Sequence, residues 1–165
     1  MNTKKIQKDI VAQILDGKYT RGGYIDAGCY VFITDGNACC MYRLLKSDVV
    51  IDLKKIKDYT SNKPLTELIR GADVNAANEL FYESQTSIQN PKRTISMFQN
   101  VDRKMNVYLN EAFIKVVDTK YKDGIKSTVR FYGTDPLKPV TVTDLQNRVL
   151  AIILPVNPSW RNKTK

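Results

Sequence analysis

The sequence predicts an α+β fold: a single domain of two similar halves, each a helix followed by antiparallel strands, with the helices on one face of the sheets. Three observations carry this. Val31-Phe32-Ile33-Thr34-Asp35 and Val140-Thr141-Val142-Thr143-Asp144 share the pattern V-x-[IV]-T-D, each in a strand–turn–strand setting. An amphipathic helix pattern lies upstream of each, over about 3–16 and 107–118. The strand patterns follow the helices in blocks and do not alternate with them. The halves span about 1–53 and 105–156, an irregular connection covers 54–104, and a basic, mobile tail occupies 157–165.

Each element has a local reason. Thr3 is a candidate N-cap, Ile6, Ile10 and Ile14 recur every four residues as an apolar stripe, and Gly17 is a stop. Lys4, Lys5 and Lys8 fall on a different arc of that helix. Residues 24–34 are aromatic and β-branched and read as a strand broken near Gly28. Asp35-Gly36 is a hairpin turn, 38–45 a returning strand, and 49–53 a third strand. Within 54–104, Pro64 to Arg70 and Asn75 to Tyr82 read as short helices, Asn90-Pro91 as a turn, and 86–88 and 94–98 as strands. The second helix, over about 107–118, turns Leu109, Ala112, Phe113, Val116 and Val117 to one side and Glu111, Lys115 and Asp118 to the other. Asp123-Gly124 closes a turn before strands at 126–132, 139–143 and 148–155, the last almost wholly apolar.

At 165 residues, 42% hydrophobic and 26% charged, the chain fits one folded domain. No apolar run approaches the ~18–20 residues of a membrane span, and the polar stretch Met1 to Lys8 has no signal-peptide core after it. Both point to a soluble cytoplasmic protein with no membrane partner. Cys29, Cys39 and Cys40 make a poor disulfide framework and read as buried strand cysteines. Without histidine and without a C-x-x-C pair, the ligands of a zinc site are missing. The commonest general base and every Ser-His or Cys-His arrangement are missing too. Lys–Ser or paired-carboxylate chemistry stays open, with no motif to support it. We therefore expect no catalytic residues, metal or cofactor. Asp35 and Asp144, the acids at equivalent repeat positions, are explained by turn geometry. The formal charge of +9 and pI near 9.4 favour a polyanion partner, although a generic basic surface would read the same way.

The C-terminal stretch adds a resemblance. The segments Y-L-N-E-A-F-I-K-V-V, S-T-V-R-F-Y-G, D-P-L-K-P-V-T-V-T-D and A-I-I-L-P-V run in order between Val107 and Val156. They resemble the last half-domain of the bacterial DNA polymerase sliding clamp, the β processivity factor. Phe32-Ile33-Thr34-Asp35-Gly36 is similar to the T-D-G hairpin of clamp domains. Together the similar parts cover roughly half the chain. That family carries three such domains per chain and closes a ring of six, so a ring of this single-domain chain would be a homo-oligomer of six copies. The chain also continues through Trp160 to Lys165, and 54–104 matches poorly. A phage-borne or mobile-element single-domain relative would accommodate these departures.

The resemblance implies a non-enzymatic, replication-associated processivity factor that contacts double-stranded DNA through its backbone without sequence preference. Clamp helices carry Lys and Arg toward phosphate, which here selects Lys4, Lys5, Lys8, Lys115, Lys120 and Lys122. A solvated helix face is the plainer reading of the same lysines. Clamps also bind short peptides of replication proteins near the C-terminal strand, which places Leu154, Pro155 and Val156 at such a site. Position alone makes Leu154 core and Pro155 a strand terminator. Trp160 with Arg161, Lys163 and Lys165 could add a stacking ring and phosphate contacts. The alternative is a protein–protein adaptor or inhibitor of phage or mobile-element origin that reuses the fold without encircling DNA.

Overall fold

The structure is a computed structural model that describes residues 1–17, 21–34, 40–70, 74–89 and 92–157. The turn at Asp35-Gly36, Asn90-Pro91, Cys39 and the tail beyond Asn157, including Trp160, Arg161, Lys163 and Lys165, lie outside these residues. The fold is α+β. In chain order it comprises α1 (Thr3–Leu15), β1 (Gly23–Ala27), β2 (Tyr30–Thr34), β3 (Cys40–Leu45), β4 (Lys57–Asp58), α2 (Lys63–Arg70), β5 (Glu79–Gln89), β6 (Lys92–Asn100), β7 (Asn106–Asn110), α3 (Glu111–Val117), β8 (Val129–Tyr132), β9 (Val140–Asp144) and β10 (Val149–Ile153). Among the described residues no helix is long and apolar enough to cross a membrane.

The described strands form one sheet in the order β4-β1-β2-β3-β10-β9-β8-β5-β6-β7. Among these, β1 and β4 pair in parallel and the other pairs are antiparallel. The meanders β1-β2-β3 and β8-β9-β10 thus meet through their last strands. Their registers line up one row across six strands: Tyr24 opposite Ile33, Ile33 opposite Tyr42, Tyr42 opposite Ala151, Ala151 opposite Val142, and Val142 opposite Phe131. Ile33 and Val142 are the third residues of the two V-x-[IV]-T-D segments, so these occupy matching places in the middle strand of each meander. Val31, Ile33, Val140 and Val142 are fully buried. Each such side chain contributes roughly 1.5–3 kcal/mol of transfer free energy.

Helices α1 and α3 lie against this core face. Ile6 and Ile10 join Ile114, Val116 and Val117 in one buried cluster, and the Asn2 N–H donates to the Val116 carbonyl at 2.6 Å. The Tyr42 hydroxyl reaches the Phe113 carbonyl at 3.4 Å, tying the central row of the sheet to α3. Helix α2 contacts β10, and its Leu65 and Leu68 share a groove with Met41, Ile152 and Leu154, which alternate along the chain with core-facing Tyr42, Ala151 and Ile153. The expectation of helices on one face therefore holds for α1 and α3 and fails for α2.

Other expectations are corrected by pairing and capping. Asn2, not Thr3, caps α1, its side chain accepting from Lys5 N–H at 3.0 Å. The break near Gly28, at φ +77°, is the reversal of a β1–β2 hairpin. Residues 49–53 form no strand; they run from one short 3₁₀ turn, Lys46–Asp48, into another, Leu53–Lys55. Of the helix expected over 75–82 only the turn Ala76–Asn78 exists, because β5 starts at Glu79 and is claimed by a long ladder with β6. The expected helix at 107–118 begins only at Glu111. Val107, Tyr108 and Leu109 are consecutive buried residues, as a covered strand requires, and Asn110 then caps α3 by accepting from Ala112 N–H at 3.0 Å. Glu111 and Asp118, assigned to the polar side, are buried. The supposedly irregular 54–104 contains α2 and the longest hairpin of the fold. Of the cysteines, Cys40 is buried in β3 while Cys29 is exposed in a turn.

Gly23 is a position where the fold requires glycine. A Cβ there would strike the Tyr59 ring and come within 2.8 Å of the Lys57 carbonyl, both parts of the edge that β4 adds to β1. Gly23→Ala should destabilise the domain by about 1–3 kcal/mol through overpacking. Gly124→Ala, where the added carbon meets nothing within 4 Å, should be nearly neutral. Thermal melting of both variants checks this, and equal melting temperatures would show that the β4 edge does not press on β1.

Candidate nucleic-acid interface

The exposed arc of α1 carries Lys4, Lys5 and Lys8, held outward because Ile6, Gln7 and Ile10 face the interior. Lys4 and Lys5 sit in the first turn, which has no acidic residue. Cations there oppose the helix dipole at roughly 0.3–1 kcal/mol each. Helix stability therefore does not account for them. Lys5 is partly compensated by Asp9 at 2.8 Å, whereas Lys4 and Lys8 form no ion pair among the described residues. Lys4 borders a groove of about 520 Å³ that runs between the start of α1 and the end of α3 and is also lined by Lys115, Thr119 and Thr128. The tertiary structure thus brings Lys4 and Lys115 to one surface from opposite ends of the sequence.

The α3 lysines behave differently. Glu111, 7% exposed, accepts from Tyr121 Oη at 3.0 Å. It forms ion pairs with Lys122 Nζ at 2.6 Å and Lys115 Nζ at 3.1 Å. The Tyr121 hydroxyl also lies 2.5 Å from Ser96 Oγ. Lys122 donates to Gln85 Oε1 and stands 5.6 Å above the rings of Tyr82 and Tyr121. Burial opposes ionisation of Glu111, but the hydrogen bonds from Lys122, Lys115 and Tyr121 outweigh it and hold the carboxyl below the usual range. Burial is also the main cause that pushes the Tyr121 hydroxyl well above the usual phenol range. Lys115 and Lys122 are therefore anchored to one buried carboxylate, while exposed Lys120 uses its backbone N–H to bond Asp118 at 2.7 Å. Sequence reasoning missed Glu111, Tyr121, Ser96 and Gln85. The Glu111–Lys115 spacing of four, with Glu first, was the available signal.

The suggested peptide-binding residues are divided by the structure. Leu154, 38% exposed, borders an apolar groove of about 170 Å³ with Met41, Leu65, Leu68 and Ile152. Pro155 and Val156 are half-buried, and the Val156 N–H closes the chain onto β7 by donating to the Tyr108 carbonyl at 2.7 Å. Asp144 has a turn role. It accepts from the N–H groups of Gln146 and Arg148, each at 2.9 Å, and pairs with the Arg148 guanidinium at 2.6 Å.

Asp118, 9% exposed, accepts from the backbone of Lys120 and Thr128 and fastens the loop after α3. Burial again opposes ionisation, and those bonds hold its carboxyl below the ordinary range. Because the folded-state values of Glu111 and Asp118 are depressed, their stabilisation is fully present above the unfolded values of 4.5 and 3.8. It is lost as pH falls through the lower folded values. Urea midpoints measured between pH 7 and 3 should fall on acidification, and Glu111→Gln should flatten that fall. An unchanged pH profile in the variant would remove Glu111 from this role. Compared with known proteins, the chain matches no family model, no curated protein and no solved structure, so its functional reading rests on its own residues.

Proposed function

We propose that the chain is a non-enzymatic, clamp-like domain that binds duplex DNA through the phosphate backbone in the service of replication. The observation that carries this reading is the mirrored row Tyr24–Ile33–Tyr42–Ala151–Val142–Phe131, with a helix leading each meander. A pseudo-symmetric pair of helix-led meanders is the plan of a sliding-clamp domain, and it sets two lysine-bearing helices side by side on one face. The net charge of +9 supports a polyanionic partner. Mobile electrostatic contacts of this kind carry no sequence information and permit sliding. A homo-oligomeric ring would supply the topology, and the apolar groove at Leu154 would receive short peptides of replication proteins.

Binding should be weak and salt-sensitive, with a dissociation constant on the order of 10⁻⁴–10⁻⁶ M near physiological salt. It should be indifferent to sequence. Changing Lys4, Lys5 and Lys8 to Glu together with Lys115 to Gln, which keeps a hydrogen-bond donor beside the buried Glu111, should abolish it while the far-ultraviolet circular dichroism stays unchanged. Anisotropy titrations of labelled duplexes check this, and full affinity in the folded variant would refute the inner-helix assignment.

The apolar groove between α2 and β10 also favours a second reading, a protein–protein adaptor that keeps the fold without encircling DNA. Mass measurement in solution separates the two. A closed oligomer with duplex affinity is expected for the first reading, and a monomer with none would leave the second.

A further inference from the structure

We propose that residues 46–57 form a lysine-bearing strap that completes the nucleic-acid surface of α1, with Lys54, Lys55 and Lys57 contacting the phosphates of duplex bound along that helix. This rests on the duplex-binding reading above and changes which residues carry it. The strap is fastened to α1 by one buried side chain. Gln7 donates through Nε2 to the Asp48 carbonyl at 2.8 Å and accepts at Oε1 from Val50 N–H at 2.7 Å. Ile51 and Ile56 are buried in the same cluster as Ile6 and Ile10. Beyond them the Lys57 N–H donates to the Gly22 carbonyl at 3.2 Å as the strap enters β4.

Between and just after those anchors, Lys54, Lys55 and Lys57 project into solvent. Asp52 fixes the turn that presents them, its carboxylate accepting from Lys54 N–H at 3.1 Å. Lys57 Nζ rests 5.2 Å over the Tyr59 ring, which restrains its direction without neutralising it. Among the described residues these three lysines form no ion pair. That matches Lys4 and Lys8 and contrasts with Lys115 and Lys122, both bound to Glu111. Three aspartates share the stretch 46–63 with five lysines and offset part of its charge. Asp52 is engaged by its turn, and Asp58 by the Tyr24 hydroxyl and Thr60 N–H. Gln7 stands three residues from Lys4 on α1, so the strap is fastened beside the arc that carries Lys4.

The test measures duplex affinity by fluorescence anisotropy over a salt series. Compared are the full chain, the triple variant K54Q/K55Q/K57Q, the α1 pair K4Q/K8Q, and the control K104Q/K126Q. The control lysines pair with Asp102 and Asp123 away from the strap. The strap triple should lose at least tenfold in affinity. Its slope of log affinity against log salt should shrink by about 2–3, roughly 0.9 for each phosphate no longer neutralised. The control should change affinity less than threefold. Lysine acetylation of the unaltered chain, with and without duplex, gives an independent reading: Lys54, Lys55 and Lys57 should be protected. A strap triple that binds like the unaltered chain, while K4Q/K8Q binds poorly, overturns the strap and leaves the proposed function standing. Equal losses in triple and control, with no protection of the strap lysines, overturn it as well. No duplex binding by the unaltered chain overturns both.

Discussion

The antiparallel seam between β3 and β10 joins the two ends of the chain, and the rest of the structure depends on it. Tyr42 faces Ala151 across that seam, and the small alanine leaves room for the tyrosine ring on the core face. The Tyr42 hydroxyl then reaches α3. Because side chains alternate with period two, this register decides which face of each meander is buried. A slip of one residue at the seam would put Ile33 and Val142 on opposite faces of the sheet. The seam is also the least local pairing in the sheet, so it is closed against a large loop entropy. The apolar rows on both sides of it, from Tyr24 to Phe131, offset that cost.

Electrostatics divides the basic residues into two populations. One is anchored: Lys115 and Lys122 complete the solvation of the buried Glu111, and Lys46 pairs with Asp26. A buried carboxylate is tolerated only when hydrogen-bonded and paired, so these lysines serve the fold first. The other population is uncompensated and is held by apolar anchors, on α1 by Ile6 and Ile10 and on the strap by Ile51 and Ile56. Lys4 even sits at the unfavourable end of its helix. Placement against local electrostatic preference, with the surrounding structure supplying the stability, is a pattern of functional surfaces.

Particular elements show which parts of the fold could be read from local pattern. The four-residue spacing of Ile6, Ile10 and Ile14 reports a helix because one face packs on a core, and α1 is found there. Residues 64–70 carried a helical pattern, and α2 fills them. Asn75 to Tyr82 and Val107 to Asn110 carried apolar residues at helix-compatible spacing, yet both regions contain strand, because pairing with β6 satisfies their backbone groups. Short apolar runs do not distinguish the two periods. In the candidate site, the exposed lysines of α1 were legible. The anchoring of Lys115 and Lys122 was not, because Tyr121, Ser96 and Gln85 reach that site from separate elements.

What the sequence by itself determined was the class of the fold, the repeated V-x-[IV]-T-D segments, the amphipathic character of the first helix and the excess of positive charge. These are local or compositional properties, set by hydrophobic period and residue type. Only the tertiary structure decided that the repeats sit in matching strands on either side of one seam. It alone set α2 on the opposite face from α1 and α3, buried Glu111 beneath two lysines and bound the 46–57 strap to α1 through Gln7. The seam and the Gln7 tie join residues far apart in the chain, whose separation leaves no periodic signal; Glu111 and Lys115 carry a local spacing, but the burial that makes it matter is set by Ser96 and Tyr121 from other elements.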